Sequence, residues 1–147
     1  MNQIENKAKV LAFLRQNPLT TISTISAISQ KPQSALVAFC ETENLELIFE
    51  TYNFTRKNSN LKANANTSFV IGWDPIKHIN VQYEGVASPI PAVDLPYYKA
   101  VFLTKNTPCT EEYINNPLAQ LYKVSPIWLR YSDYTQTPAE VFEIDFD

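Results

Sequence analysis

The sequence predicts a β-rich α+β fold of about seven strands and three to four helices. Short segments rich in β-branched and aromatic residues recur along the chain, and turn-forming residues separate them. Only a few residues join the first of these segments, which favours antiparallel pairing and an up-and-down start to a barrel. The sequence shows no internal repeat, low-complexity run or linker, so residues 1–147 are predicted to form one domain.

The first half of the chain is predicted to supply two helices and three strands. Ile4–Arg15 places apolar side chains at near-helical spacing, which predicts an amphipathic helix that ends at Asn17-Pro18. A short helix is predicted at Arg56–Ala63, with Thr55 as its N-cap. The intervening strands are predicted from their β-branched or continuously apolar sequence and are Thr20–Ala27, Gln33–Glu41 and Leu45–Thr51.

The second half of the chain is predicted to alternate strands with helices. Leu95–Thr104 is an amphipathic segment with Asp94 as its expected N-cap. Thr110–Lys123 is predicted as a second helical region, weakened by Pro117. The predicted strands are Thr67–Trp73, Ile79–Ser88, Ile127–Ser132 and Glu140–Phe146.

Composition excludes several classes of function. The chain has 147 residues, 45% of them hydrophobic, a net charge of −3 and a pI near 5.2, which argues against a nucleic-acid-binding face. Its two glycines cannot form a glycine-rich phosphate loop, so Rossmann fingerprints and P-loops are absent. No apolar run approaches the length of a membrane span or a signal peptide, and we expect a cytoplasmic protein without a membrane partner.

The reactive side chains do not indicate hydrolytic or metal chemistry. Cys40 falls in an apolar strand, where a buried thiol is expected, and Cys109 follows a proline in a loop. A disulfide between them is disfavoured in a cytosolic chain. His78 is the only histidine and is expected to be a loop residue, because no nucleophile or metal-ligand spacing surrounds it.

The strongest local signal is a pair of cations at a predicted helix start. Arg56 and Lys57 oppose the helix dipole, which places partial positive charge at the N-terminus. This arrangement is favourable if an anion such as a phosphate binds the Thr55 hydroxyl, the free N–H groups and both cations. The alternative is a solvated basic helix start with no ligand.

Three segments and a C-terminal continuation together resemble a known family. Phe49-Glu50-Thr51 and Thr55-Arg56-Lys57, followed by Asn60-Leu61, resemble the phosphate-binding turn of the pyridoxamine 5'-phosphate oxidase-like, FMN-binding split-barrel proteins. Upstream, residues 31–39 are similar to the strand that runs under the flavin ring in that family. Downstream, residues 80–87 are similar to its x-V-x-x-x-G-x-A strand, and residues 126–130 to a C-terminal continuation.

The resemblance implies a homodimeric antiparallel split β-barrel with two FMN sites at the subunit interface. The abundance of aromatic residues (eight Tyr, eight Phe and two Trp) also favours a dimer that buries apolar strands. The residues that the resemblance places around FMN are Leu36, Val37, Ala38, Phe39, Thr51, Thr55, Arg56, Lys57, Asn80, Trp128 and Arg130.

The resemblance also implies a role for each group. The two threonines and two cations would hold the phosphate and ribityl end, and Leu36–Phe39 would offer backbone groups to the pyrimidine part of the ring. Asn80 would reach the flavin from the partner subunit, and Trp128 and Arg130 would close the site from that other chain. These residues can also be explained without a ligand. Leu36–Phe39 would form part of the core in any barrel, and Trp128 would serve only for packing.

Two departures indicate that this is not a true pyridoxamine-phosphate oxidase. Ser34-Ala35 stands where that enzyme has an arginine, and its C-terminal Arg- and His-bearing substrate motif is missing. We therefore expect an FMN-dependent oxidoreductase that transfers electrons between a nicotinamide or similar donor and an unknown small-molecule acceptor. The alternatives are the same fold with a deazaflavin or haem, for which His78 is the only candidate axial histidine, and a non-enzymatic binding module that has lost its cofactor.

Overall fold

The computed structural model describes residues 2–72, 74–105 and 107–147. Within this part of the chain there are four α-helices and seven strands, and a 3₁₀ turn precedes the third helix at Ala92–Asp94. The helices are α1 (Gln3–Arg15), α2 (Arg56–Ala63), α3 (Leu95–Thr104) and α4 (Glu111–Ile114). The strands are β1 (Leu19–Ile25), β2 (Pro32–Glu41), β3 (Leu47–Tyr52), β4 (Asn66–Ile71), β5 (Ile79–Pro89), β6 (Ala119–Asp133) and β7 (Glu140–Asp145).

The strands form one antiparallel sheet in the order β3-β2-β1-β4-β5-β6-β7. A further pairing of β3 with β6 closes the first six of these strands into a barrel, and β7 extends the sheet beyond β6. Closure pairs the edge of β3 that an open sheet would expose. The prediction of an antiparallel split barrel with peripheral helices is therefore confirmed.

Two hydrophobic clusters stabilise this arrangement. Inside the barrel, Phe49 stacks on Tyr122 with ring centroids 5.4 Å apart, and Phe69 meets Tyr83 edge-to-face at 5.6 Å. The second cluster lies outside the barrel, between the outer faces of β2, β3 and β6 and the helices α3 and α4. Its buried members are Cys40, Ile48, Ile90, Phe102, Ile114 and Leu121.

A buried ion pair fixes the end of α3 to the barrel. The Lys105 ammonium lies 2.6 Å from a carboxylate oxygen of Glu41 and 3.8 Å from the ring centroid of Phe39, and it also donates to the Leu14 carbonyl at 2.9 Å. Burial lowers the pKa of Lys105, and its hydrogen bond to Glu41 acts in the opposite direction. These contacts hold the C-terminal end of α3 against the barrel.

One sequence-based assignment is wrong. Thr110–Lys123 was expected to be helical, but α4 ends at Ile114 and β6 begins at Ala119, eight residues before the predicted strand at Ile127. The cause is pairing with β3 on one side and with the end of β5 on the other, which buries Leu121 on one face of the sheet and Tyr122 on the opposite face.

Smaller differences occur at other ends of elements. The Asp94 side chain makes no capping hydrogen bond, because the 3₁₀ turn runs directly into α3. The strand predicted to reach Trp73 ends at Ile71, and Trp73 itself lies outside the described residues. No helix in the described ranges is long and apolar enough to cross a membrane.

Candidate functional site

The barrel opens where β2 and β3 stop pairing. Their register ends at Phe39 opposite Phe49, although β3 continues along β6 as far as Tyr52. Beyond this point Leu36–Ala38 and Glu50–Tyr52 lie on opposite sides of a cavity of about 260 Å³, which we call the β2–β3 cleft. Its lining is completed by Thr55, Lys57, Phe102 and Cys109.

The edge of β2 presents backbone groups to this cleft. The Phe39 N–H donates to the Pro18 carbonyl at 3.2 Å, on the β1 side of the strand. Because backbone groups alternate in direction along an antiparallel strand, those of Leu36 and Ala38 are directed to the β3 side. The Phe39 side chain is fully buried in the barrel core, so this residue cannot contribute its ring to the cleft.

The N-terminus of α2 forms one end of the cleft. Thr55 caps the helix, and its hydroxyl accepts the Asn58 N–H at 3.4 Å and donates to the Tyr52 carbonyl at 3.0 Å. The Thr51 hydroxyl lies 2.7 Å from the Thr55 hydroxyl and is the donor of that pair, since the Thr55 proton is already used. These bonds confirm the predicted cap and the predicted start of α2.

Two backbone donors at this helix start meet no acceptor. Within the described ranges, the N–H groups of Arg56 and Lys57 have no hydrogen-bond partner. Free N–H groups in the first turn of a helix, together with its dipole, favour an anion. Lys57 lines the cleft and Arg56 is the residue before it, so this helix start offers donors for a negatively charged ligand at the end of the cleft.

Two buried asparagines hold α2 in this position. The Asn60 amide donates to the Thr24 hydroxyl at 3.0 Å and to the Gln33 side-chain oxygen at 2.9 Å, and its oxygen accepts the Ala27 N–H at 2.9 Å. Asn58 accepts a short hydrogen bond from the Tyr122 hydroxyl. Because buried amides are costly to leave unpaired, these contacts fix the helix start against the barrel.

The two predicted cations differ in their surroundings. Lys57 is half-buried and lines the cleft, whereas Arg56 is exposed and is not part of the lining. Burial lowers the pKa of Lys57, the nearby Glu50 carboxylate raises it, and the positive charge of Arg56 lowers it further. Lys57 is thus the cation that a ligand in the cleft meets first.

Sequence reasoning missed four lining residues, Glu50, Tyr52, Phe102 and Cys109, of which Glu50 is the most unusual. One Glu50 carboxylate oxygen is buried without a hydrogen-bond partner, and burial raises the pKa of this side chain while Lys57 lowers it. The signal that could have found it is a charged residue directly after the apolar stretch Leu47–Phe49, inside the predicted strand Leu45–Thr51. Phe102 and Cys109 come from α3 and the segment after it, and burial raises the pKa of Cys109 to about 11.

Three of the predicted site residues lie elsewhere on the chain. Asn80 and Trp128 line a second cavity of about 380 Å³, on the faces of β4, β5 and β6, which shares no lining residue with the β2–β3 cleft. The Trp128 indole donates to Glu143 at 2.8 Å, and Arg130 donates to the same carboxylate at 3.2 Å. These hydrogen bonds lower the pKa of Glu143.

The histidine lies outside the cleft, and the two cysteines do not form a disulfide with each other. His78 is an exposed turn residue with φ of 52° and lines neither of these two cavities. Cys40 and Cys109 are both free thiols. Among the described residues, no group of three or more His, Cys, Asp or Glu side chains could hold a metal ion.

Comparison with known families decides the classification. The family model described as pyridoxamine 5'-phosphate oxidase matches residues 7–132, which contain the barrel strands up to, but not including, the last residue of β6 and the whole β2–β3 cleft. The chain belongs to the pyridoxamine 5'-phosphate oxidase family. No curated protein matches this sequence.

Solved structures share the family fold at low sequence identity. A general stress protein 26 from Bacillus anthracis is 18% identical with a TM-score of 0.71, covering 95% of this chain and 99% of that one. A pyridoxamine 5'-phosphate oxidase-related, FMN-binding protein from Nostoc punctiforme is 8% identical with a TM-score of 0.68, covering 100% and 98%. A haem-binding protein from Mycobacterium smegmatis is 16% identical with a TM-score of 0.76, covering 97% of this chain, which spans 58% of that chain's length.

Proposed function

We propose that this chain binds FMN in the β2–β3 cleft and acts as a flavin-dependent oxidoreductase. The observation that carries this proposal is the convergence of a free strand edge and a capped helix N-terminus on one cavity. The chemistry that FMN supplies when bound is electron transfer between a donor, such as a reduced nicotinamide, and a small-molecule acceptor. The protein then has to bind, orient and shield the cofactor.

The phosphate end is matched to the α2 N-terminus. The free N–H groups of Arg56 and Lys57 and the Lys57 ammonium supply donors and positive charge. The Thr51 hydroxyl lies beside them, and its proton, which is directed at Thr55, would turn to a phosphate oxygen. Arg56 lies at the exposed margin and adds long-range attraction. We therefore assign the phosphate to this end of the cleft.

The ring is assigned to the edge of β2. Backbone groups of Leu36 and Ala38 face the cleft and match the alternating donors and acceptors of a pyrimidine edge. The Leu36 side chain is 54% exposed, which leaves an apolar surface for the ring to cover. This end of the cleft therefore suits a flat, partly polar ring.

A second copy of the chain is proposed to complete the site. The cleft of about 260 Å³ holds only part of a cofactor of this size, and ligand pockets for such molecules commonly measure roughly 300–1,000 Å³. Asn80, Trp128 and Arg130 share another face of the barrel, so they can reach a cleft only on a partner related by two-fold symmetry. We propose a homodimer with two FMN sites.

Haem is the competing ligand because structures named for haem share the fold. The only histidine, His78, lies outside the β2–β3 cleft, and the cleft has neither a thiolate at neutral pH nor a metal-ligand cluster among the described residues. These features favour FMN over haem. The titration described next also distinguishes FMN binding from deazaflavin binding and from a binding module without a cofactor.

The decisive experiment is a titration of the purified chain with FMN, riboflavin, a deazaflavin and haem. We expect FMN to bind more tightly than riboflavin, because only FMN carries the phosphate that α2 receives. The visible absorption spectrum identifies the bound ligand, and anaerobic addition of reduced nicotinamide should bleach the flavin band. Tight binding of haem alone, or of none of the four by a folded protein, would contradict the proposal.

Mixing two variants tests the shared site. Lys57→Ala and Trp128→Ala are each expected to bind FMN weakly, but after subunit exchange about half of the dimers are hybrids with one intact site. About a quarter of all sites should then bind FMN tightly. The control mixes Lys57→Ala with Thr51→Ala, which damage the same half of the site and should restore nothing. No recovery in either mixture would place Trp128 outside the partner's site.

A further inference from the structure

Glu50 is the feature of the cleft that FMN binding leaves unexplained. Its carboxylate lies on the same wall as Thr51 and in the same cavity as Lys57, and one of its oxygens is buried without a partner. Buried carboxylates are normally hydrogen-bonded, since an unpaired charge is costly away from water. In the described part of the chain, no ion pair within 4.0 Å neutralises it.

A phosphate at the α2 N-terminus adds a second negative charge beside this carboxylate. Two anions in one poorly solvated cleft raise each other's proton affinity, and the carboxyl responds because it can take up a proton. An uncharged ligand would leave the proton affinity of the Glu50 carboxylate unchanged by Coulomb repulsion. The cost of bringing in the phosphate therefore depends on the protonation state of Glu50.

We propose that Glu50 determines the charge that this cleft accepts: its carboxyl binds a proton when a ligand phosphate enters, so phosphorylated ligands bind with proton uptake and uncharged ligands do not. This inference rests on the proposed function, because it takes FMN as the ligand. It makes Glu50 a specificity-determining residue that weakens FMN binding at alkaline pH.

The titration of Glu50 can be distinguished from that of the neighbouring tyrosine and cysteine. The titratable groups that interact with Glu50 are Lys57 on α2, Tyr52 on β3 and Cys109 after α3. Farther out, Arg56 acts on Lys57, and Glu112 and Tyr113 on α4 act on Tyr52. Burial raises the pKa of Tyr52 and Cys109 from values already above neutrality, so neither changes charge between pH 6 and pH 8. The side chains lining the cleft from β2 and α3 are apolar.

The sign of the pH effect follows from linkage. Burial already raises the pKa of Glu50 in the free protein, and the bound phosphate raises it further. Between these two pKa values the free cleft is ionised and the complex is protonated, so FMN affinity falls as pH rises, by at most about tenfold per pH unit. The second ionisation of the free ligand's phosphate, with a pKa of about 6, acts in the opposite direction and is common to all variants because it precedes binding.

Glu50→Gln tests this proposal because it keeps the shape and removes the charge. We expect Glu50→Gln to bind FMN about tenfold more tightly than the unmodified chain at pH 8, with a flatter pH profile. Riboflavin affinity should change by less than about twofold. The control variant is Glu43→Gln, which removes the same charge from the exposed β2–β3 turn and should change nothing.

Calorimetry in buffers of different ionisation enthalpy counts the protons directly. The unmodified chain should take up more protons with FMN than Glu50→Gln does, and any titration of Lys57 occurs in both proteins. Equal affinities and equal proton counts would overturn the inference while leaving FMN binding intact. Weaker FMN binding by Glu50→Gln would also overturn it, because Glu50 would then accept a hydrogen bond from the ligand. Absence of FMN binding to either protein would instead overturn the proposed function, and this inference with it.

Discussion

Replacing Lys57 by alanine is expected to raise the dissociation constant for FMN roughly 10- to 100-fold, because a charge-assisted hydrogen bond to the phosphate is lost from a half-buried position. Arg56→Ala should raise it by less than about fivefold, since this side chain is exposed and screened by salt. The double variant should show the largest loss. Fluorescence titration with FMN at a fixed ionic strength measures all three.

The matched control lies on the same helix. Lys62 is an exposed cation in the last turn of α2, so Lys62→Ala removes one positive charge without touching the helix start. It should leave FMN affinity within about twofold. Riboflavin binding should be equally insensitive in every variant, because it has no phosphate. If Lys57→Ala matched Lys62→Ala, the phosphate would not bind at the α2 N-terminus.

The local parts of this site could be predicted from the sequence because short-range rules determine them. A threonine followed by a polar helix is a capping signal wherever it occurs, and α2 spans the predicted Arg56–Ala63. The early strands alternate or run apolar over a few residues and are joined by short turns, so their existence and antiparallel order are local properties.

The rest depends on pairing between distant segments. Leu121 and Tyr122 lie in a segment that was predicted to be helical. This segment becomes a strand because it pairs with β3, about 70 residues earlier, and with the end of β5. The cleft itself exists because β2 and β3 separate beyond the Phe39–Phe49 pair, on the side of Leu36–Ala38 and Glu50–Tyr52. No local sequence pattern predicts this separation. Glu50 and Cys109 meet there for the same reason.

Sequence alone also left the two cations equivalent. Arg56 and Lys57 are adjacent and identical in charge, and the prediction assigned both to the phosphate. The structure distinguishes them through the rotation of α2, which buries Asn58, Asn60 and Leu61 against the barrel and directs Lys57, but not Arg56, into the cleft. Rotation of a helix follows from its packing and not from the charges it carries.

Gly85→Ala is expected to lower the free energy of unfolding by about 3 kcal/mol, because a Cβ at this position has no space. It would lie 2.6 Å from the Ser125 carbonyl oxygen and 2.6 Å from a methyl carbon of Val124. The carbonyl belongs to the backbone of β6 and cannot rotate away. Thermal unfolding should show a midpoint lowered by roughly 10 °C, whereas Ser88→Ala, at an exposed position of the same strand, should be near neutral.

The position of Gly85 explains why this change also matters for the proposed site. The register of β5 with β6 shifts between Glu84 and Gly85, so that Trp128 lies opposite Glu84 while Pro126 lies opposite Gly85. A one-residue slip would turn Trp128 to the other face of the sheet. Gly85→Ala should therefore weaken FMN binding together with stability, whereas Lys57→Ala should weaken binding at unchanged stability. If Gly85→Ala destabilised the fold but bound FMN normally, the face that carries Trp128 would not belong to the cofactor site, and the dimeric site would have to be built from another surface.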